Sequence, residues 1–255
     1  MKSNLEKRWY SVIAAVSIAV GLMAGSVSRV GAANPNPGVI PPHAKAYGMT
    51  YGEWSAKWWQ WAYSLPVDQN PWFDEESSCA NGANGQFGPV WFLTGVINES
   101  GTAVRNCTVP AGKALFFPVI NAEDATLESG LTGEDLRIFP TWVMSLVTNI
   151  AAEIDGVPLV NLYDYRAVSP LFVYGPLPEG NVLAYFGFDA PAGSTSAGAP
   201  PNNTFTPSAA ADGYYLMLAP LPVGQHTIHF TGTLGDPVNF TLDITYNLTV
   251  APTRP

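Results

Sequence analysis

Residues 240–250 read FTLDITYNLTV and alternate strictly between apolar and polar side chains. The apolar positions are Leu242, Ile244, Tyr246, Leu248 and Val250. Successive side chains of a β-strand point to opposite faces, so one face of this segment is apolar and the other is polar. The pattern predicts a strand with one face in the core and one face in water, as in antiparallel sheets.

Short apolar runs of strand length recur along the rest of the chain, and turns rich in Gly and Pro separate them. The runs cover residues 90–96, 113–120, 171–174, 182–188, 214–218 and 226–231. Asp155-Gly156 between apolar flanks indicates a two-residue hairpin of type I′. Many short strands with such turns are typical of a sandwich. We therefore expect a mainly β fold, an antiparallel β-sandwich of jelly-roll-like or immunoglobulin-like form, with two accessory helices.

The first predicted helix covers about residues 50–64 and is rich in tryptophan. Thr50 and Glu53 have the spacing of a capping box. Trp54, Trp58 and Trp61 recur at helical spacing, with Trp59 beside them. We favour a helix buried against the β-structure. Because every buried indole N–H needs a partner, the alternative is that some rings form a ligand-binding platform. The candidate ligand-binding residues are Trp54, Trp58, Trp59 and Trp61.

The second predicted helix covers about residues 132–148, with Thr132 as its cap and Pro140 as a kink. Residues 190–212 are low in complexity and indicate a long loop. Only 43 residues follow this loop, too few for an independent core. Residues 34–255 are therefore expected to form a single domain.

Residues 1–33 have the pattern of a secretory signal peptide. Lys2, Lys7 and Arg8 precede an apolar run over residues 10–25, and small residues at 30–33 offer cleavage after Ala32 or Ala33. This run is shorter than the roughly 20 residues that span a membrane comfortably. We expect a secreted or periplasmic protein with no membrane span after signal cleavage; an uncleaved N-terminal anchor is the alternative.

The chain contains two cysteines, Cys79 and Cys107. An even number of cysteines in an exported chain predicts a disulfide. A catalytic thiol is the alternative, but it needs a nearby base and a reduced sulfur. We expect Cys79 and Cys107 to be joined.

Composition excludes several classes of protein. The formal charge of the 255 residues is −9, and only 12% of them are charged. An acidic chain of this kind lacks the basic surface that nucleic-acid binding requires. With 47% apolar residues it is also unlike a disordered chain. Glycan or cell-envelope components remain as partners.

No motif of a known catalytic machinery occurs in the chain. His226 and His229 in HTIH would point to opposite faces of a strand, so no metal site is expected. Acidic residues gather at 74–76 and at 123–128, where they could act on a glycosidic bond, hold Ca²⁺ or simply face solvent. Arg166 could form a structural ion pair or, with Tyr165, clamp a substrate carboxylate. The candidate catalytic residues are Asp74, Glu75, Glu123, Asp124, Tyr165 and Arg166.

Three segments, YGEWSAKWWQWAYS (51–64), GPVWFL (88–93) and CTVPAGKALFFPVIN (107–121), resemble a group of uncharacterised exported bacterial proteins. The similarity continues in residues 152–170, 221–230 and 242–250. It implies export and one continuous domain, and it assigns no activity, cofactor or catalytic residue.

We therefore expect a secreted or periplasmic binding or envelope-associated protein, with a glycan as the favoured ligand. Trp and Tyr rings stack well on sugar faces, and no catalytic signature is present. The first alternative is a glycan hydrolase or lyase on the same scaffold. The second is a purely structural envelope protein. No cofactor is expected, apart from Ca²⁺ if the acidic loops hold one.

Overall fold

The computed structural model describes residues 36, 38–74, 77–98, 100–199 and 206–252. Nine strands form two sheets. The strands are β1 (Val90–Phe92), β2 (Thr102–Pro110), β3 (Ala114–Ala125), β4 (Val147–Ile154), β5 (Val157–Pro158), β6 (Arg166–Val168), β7 (Ala209–Leu218), β8 (Gly224–Leu234) and β9 (Phe240–Ala251). One sheet has the order β1-β3-β7-β6 and the other the order β2-β9-β8-β4-β5. The described residues belong to one compact unit.

Both sheets are mixed, because each contains one parallel pair. Strand β1 runs parallel to β3, and β2 runs parallel to β9 over nine residue pairs, from Thr102 opposite Asp243 to Pro110 opposite Ala251. The remaining pairs are antiparallel. The mainly β sandwich predicted from the sequence is confirmed. The parallel pairs join segments far apart in the chain, which residue periodicity does not reveal.

The two faces of β3 define the layers of the sandwich. Phe117 stacks on Phe230 of β8, with ring centroids 5.0 Å apart, and so faces the second sheet. Its neighbour Phe116 points to the other face and packs against Tyr51 and Trp54. Because consecutive strand residues face opposite sides, one strand contributes to both contacts. The four-stranded sheet therefore lies between the five-stranded sheet and a helix.

That helix is α1 (Tyr51–Tyr63), in the segment where the sequence predicts one. Thr50 caps it, and Thr50 and Glu53 form the reciprocal capping box. Gly52 lies so close to the backbone of Val168 on β6 that a Cβ would collide with the Val168 carbonyl oxygen. Glycine thus lets the helix lie directly on the sheet edge.

The second predicted helix is shorter than expected and begins later. A 3₁₀ turn over Gly133–Arg137 leads into α3 (Ile138–Ser145), and strand β4 already begins at Val147. Pro140 is the third residue of α3, where its missing N–H leaves no intrahelical bond unmade, so it does not kink the helix. Two further helices are single turns, α2 (Thr126–Ser129) and α4 (Val182–Tyr185). Further 3₁₀ turns cover Val67–Gln69, Pro71–Phe73 and Leu162–Tyr165.

The predicted turn between β4 and β5 is confirmed: Asp155 and Gly156 have positive φ angles of 51° and 75°, as type I′ requires. The low-complexity loop is shorter than predicted, because β7 begins at Ala209. The predicted signal peptide at 1–33 lies outside the described residues. In the described part of the chain no helix has the length and apolarity of a membrane span.

Candidate functional site

The four tryptophans predicted to bind ligand are buried, with 1% to 7% of each side chain exposed. Three of them donate their indole N–H to a backbone carbonyl: Trp54 to Ala46, Trp58 to Leu93 and Trp61 to Asn84. The fourth, Trp59, lies beside the hydroxyl of Tyr215. These contacts supply partners for three of the four buried indoles, whereas Trp59 Nε1 is buried without a hydrogen-bond partner among the described residues. The four rings therefore do not form an exposed platform.

Two of these rings nevertheless line a cavity of about 260 Å³ between α1, strand β3 and the start of β9. Trp72 contributes a third indole, and its ring lies 5.6 Å from Trp58 and 5.7 Å from Trp59. The wall is formed by Trp58, Trp59, Tyr63, Trp72, Gly95, Val96, Ile97, Pro118, Ile120, Asn121, Val182, Phe186, Phe240 and Leu242. It is mostly aromatic and aliphatic, so the cavity suits a small ligand with a flat apolar face.

The cavity has few polar side chains. Asn121 is half-buried, and its amide nitrogen makes a long hydrogen bond of 3.5 Å to the Tyr215 hydroxyl. No described residue accepts a hydrogen bond from the indole N–H of Trp72. The side-chain amide of Asn121 and the indole N–H groups of Trp59 and Trp72 therefore keep unused hydrogen-bonding capacity at this wall.

Behind the cavity wall lie two carboxyl groups, the buried Glu123 on β3 and the half-buried Glu128 on α2. The hydroxyl of Tyr63 donates to Glu123 Oε2 over 2.9 Å, and the hydroxyl of Tyr174 donates to Glu128 Oε1 over 2.9 Å. The two tyrosine rings pack together with centroids 4.7 Å apart. The two carboxyl groups are within hydrogen-bonding reach of each other.

These surroundings favour the protonated forms of both glutamates. Burial, followed by the negative charge of Glu128, raises the pKa of Glu123 well above its usual value. Burial also raises the pKa of Glu128 to about 7. The second carboxylate oxygen of Glu123 has no hydrogen-bond partner as a carboxylate. A proton on that oxygen, donated to Glu128, supplies the missing bond and removes the repulsion between the two charges.

The third predicted carboxylate of this region, Asp124, is also buried. Burial raises its pKa, while hydrogen bonds from Ser129 and the backbone of Ala125 act in the opposite direction. The structure thus brings Glu123, Asp124 and Glu128 together, as their spacing in sequence suggested. None of the three lines the cavity.

The other candidate catalytic residues lie apart from this group, and those that the structure describes make contacts that stabilise the fold. Asp74 is buried, accepts two hydrogen bonds from Asn81 and lies 3.9 Å from the Arg105 guanidinium. Glu75 lies outside the described residues. Tyr165 is buried with its ring against Tyr51. Arg166 makes a bidentate ion pair with the buried carboxylate of Asp212, with distances of 3.0 and 2.7 Å.

The predicted disulfide between Cys79 and Cys107 is confirmed. It ties the loop before β1 to strand β2. Backbone bonds reinforce this link, because the amide of Ser77 donates to the carbonyl of Val104. The loop that the disulfide holds therefore bonds to the edge of β2 that does not pair with β9.

The two histidines of HTIH lie on β8 and pair with different acids. His226 bonds Asp155 over 2.8 Å, and His229 bonds Asp243 over 2.9 Å. Within the described ranges no group of three or more His, Cys, Asp or Glu side chains is placed to hold a metal ion.

Sequence reasoning did not select Tyr63, Trp72, Asn121, Tyr174 or Phe186 as site residues. They come from five separate segments, so no local spacing marks them as a group. Comparisons with family models, curated proteins and solved structures found no match for the chain.

Proposed function

We propose that the chain is an extracytoplasmic binding protein that holds one small ligand in the cavity beside α1. The observation that carries this proposal is the convergence of three indole rings, those of Trp58, Trp59 and Trp72, on one cavity. Such rings favour ligands with a flat apolar face, and the sugar rings of a glycan are the leading class.

Export is part of the proposal. The pattern of residues 1–33 is that of a signal peptide, and a disulfide between Cys79 and Cys107 fits an oxidising compartment. Secretion to the periplasm or beyond is therefore proposed, with cleavage after Ala32 or Ala33. N-terminal sequencing of the protein recovered from the exported fraction tests this. A chain that keeps Met1 would contradict cleavage.

Binding is better supported than cleavage of the ligand. One oxygen of each paired acid already accepts a hydrogen bond inside the protein, Glu123 from Tyr63 and Glu128 from Tyr174. They also lie behind Tyr63 rather than in the cavity wall. A hydrolase or lyase, and a purely structural envelope protein, remain the alternative proposals.

The exposed ring of Phe186 offers a test that leaves the core intact. It lines the cavity and is 50% exposed, whereas nearby Phe188 is 39% exposed and does not line it. Phe186→Ala should weaken ligand retention roughly fivefold, which corresponds to the loss of about 1 kcal/mol of stacking. Phe188→Ala is the matched control and should retain ligand like the wild type.

Retention is measured by a glycan array and by pull-down on polysaccharides, followed by product analysis. Intact sugar that is lost with Phe186→Ala supports the binding proposal. Shortened or unsaturated products would favour the enzyme. Absence of retention from the whole panel would contradict a glycan ligand and favour the structural alternative.

A further inference from the structure

A second aromatic cavity, of about 230 Å³, lies at the N-terminal end of α1 and is separate from the one described above. Its rings come from the turn before α1, from the helix itself and from the segment around β1. It is lined by Tyr47, Met49, Trp54, Lys57, Phe87, Gly88, Pro89 and Phe92. Trp54 forms the back of this cavity, with Tyr47 6.5 Å and Phe92 6.2 Å from its ring centroid.

Two of the rings that line this second cavity are exposed to solvent. Phe87 is 71% exposed and Tyr47 is 46% exposed. Tyr47 also has a positive φ angle of 51°, in a tight turn closed by pairing of Ala46 with Met49. A bulky residue in this backbone region is strained, and Asn or Gly would fit it better. A strained residue that places its ring at a cavity indicates a functional requirement for that ring.

The charge around this cavity is positive although the protein is acidic. The chain has three lysines after residue 33, namely Lys45, Lys57 and Lys113. Lys57 lines the cavity, and Lys113 donates a hydrogen bond to the carbonyl of Gly88, which also lines it. Lys45 precedes Tyr47 by two residues. Two of the three lysines, Lys57 and Lys113, therefore lie at this cavity, whereas the charge of Lys45 interacts with Glu53.

Among the described residues, no acidic side chain pairs with Lys57. In the described part of the chain it makes neither a hydrogen bond nor a salt bridge. The acid one turn earlier on α1, Glu53, directs Oε2 to the backbone N–H and the hydroxyl of Thr50, over 2.7 and 2.8 Å. By contrast, Arg105, Arg137 and Arg166 each have an acidic partner. The ammonium group of Lys57 is therefore available to a ligand.

We propose that this cavity binds a small aromatic carboxylate, with its ring among Tyr47, Trp54 and Phe87 and its carboxylate on Lys57. Aromatic cages also bind quaternary ammonium groups, but here the two nearby lysine ammonium groups repel a cation. A neutral ring gains the stacking contacts without the charge contact. The site is independent of the function proposed for the first cavity.

The test uses three probes of similar shape: 2-naphthoate, 2-naphthamide and 2-naphthyltrimethylammonium. Each is titrated into the full chain, and binding is measured by calorimetry in low salt. We expect naphthoate to bind about tenfold more tightly than the amide, and the gap to narrow at high salt because salt screens the charge contact. Equal binding of naphthoate and the amide, tighter binding of the cation, or absence of binding would overturn the proposal.

Lysine variants locate the carboxylate. Lys57→Met should abolish the preference for naphthoate over the amide. Lys45→Met removes the same charge from a residue that does not line the cavity, and it should keep most of the preference. If the two variants behave alike, the carboxylate does not bind Lys57 and the proposal fails.

Two further variants serve as controls. One tests whether a loss of binding is caused by unfolding, and the other tests which cavity binds the probe. Tyr47→Asn relieves the backbone strain, so the melting temperature should hold or rise while naphthoate binding weakens about tenfold. Phe186→Ala alters only the first cavity and should leave naphthoate binding unchanged. Naphthoate binding that responds to Phe186→Ala and ignores Tyr47→Asn would place the probe in the first cavity and overturn the second site.

Discussion

The hydroxyl of Tyr63 donates a hydrogen bond of 2.9 Å to Oε2 of Glu123. The side chain of Tyr63 lines the cavity beside α1, and its hydroxyl bonds one member of the acid pair. Because the hydroxyl already donates its proton to Glu123, it can serve a ligand only as an acceptor. The link also means that the protonation of Glu123 and Glu128 acts directly on the wall of the cavity.

The acid pair should make the protein more stable at acidic pH. The folded state keeps a proton on Glu128 up to a pKa of about 7, whereas an unfolded chain releases it near 4.5. The free energy of unfolding therefore falls as the pH rises from about 4.5 to 7, by on the order of 3 kcal/mol from Glu128 alone. Chemical denaturation across this pH range measures the fall.

His226 adds to the same trend, since its pKa is also raised in the folded protein, so variants are needed to isolate the acids. The double variant Glu123→Gln/Glu128→Gln should flatten most of the pH dependence. Glu134→Gln changes an exposed acid that pairs with Arg137, and the free energy of unfolding of this variant should fall with pH as in the wild type. If the free energy of unfolding of the double variant depends on pH as strongly as that of the wild type, the acid pair does not hold a proton.

The disulfide should stabilise the fold substantially. Cys79 and Cys107 are 28 positions apart, and closing a loop of this length is worth about 3–4 kcal/mol in the chain-entropy description. Cys79→Ala/Cys107→Ala should lower the free energy of unfolding by that order. Peptide mapping by mass spectrometry without reduction should recover the two cysteines in one linked fragment, and two free thiols would contradict the bond.

Trp58 should behave as a core residue. Its side chain is 1% exposed, and its indole donates to the carbonyl of Leu93 over 2.8 Å. Trp58→Ala should therefore lower the free energy of unfolding by about 3–5 kcal/mol. Trp142 is 43% exposed, and its replacement by Ala should change stability by less than about 1 kcal/mol. Thermal melts of both variants give the comparison; similar melting temperatures would mean that Trp58 is not part of the core.

Arg166 should act through Asp212 rather than through a substrate. The carboxylate of Asp212 is fully buried, so Arg166→Met leaves a buried charge without its partner and should destabilise the fold by about 3 kcal/mol. Adding Asp212→Asn removes the charge and should restore much of the loss. Urea denaturation of the single and double variants measures the coupling. If the stability loss of the double variant equals the sum of the losses of the two single variants, the ion pair has no structural role.

Much of the fold follows from local pattern. The alternation in residues 240–250 predicts β9, Thr50 with Glu53 predicts the start of α1, and Asp155-Gly156 predicts the β4–β5 turn. Each of these features depends on residues within one turn or one strand, where spacing determines geometry.

The candidate sites could not be predicted in the same way. Burial of Trp58 and Trp61 depends on the carbonyls of Leu93 and Asn84, which are distant in sequence. The proximity of Glu123 and Glu128 was suggested by their spacing, but their burial depends on Tyr63 and Tyr174. Neither cavity is marked by a local motif, because its wall is assembled only when separate segments pack.

The position of β9 in the five-stranded sheet determines when this protein can complete its fold. Residues 240–251 lie between β2 and β8 and bond to both. While a ribosome is still adding them, β2 has no partner strand and β8 lacks its neighbour on that side. A chain that stops short of residue 240 exposes two unpaired strand edges, and such edges promote aggregation and proteolysis. Strand β9 thus protects the edges of two other strands at once, and the integrity of the sheet depends on it more than on β1, β5 or β6, which each pair with one strand.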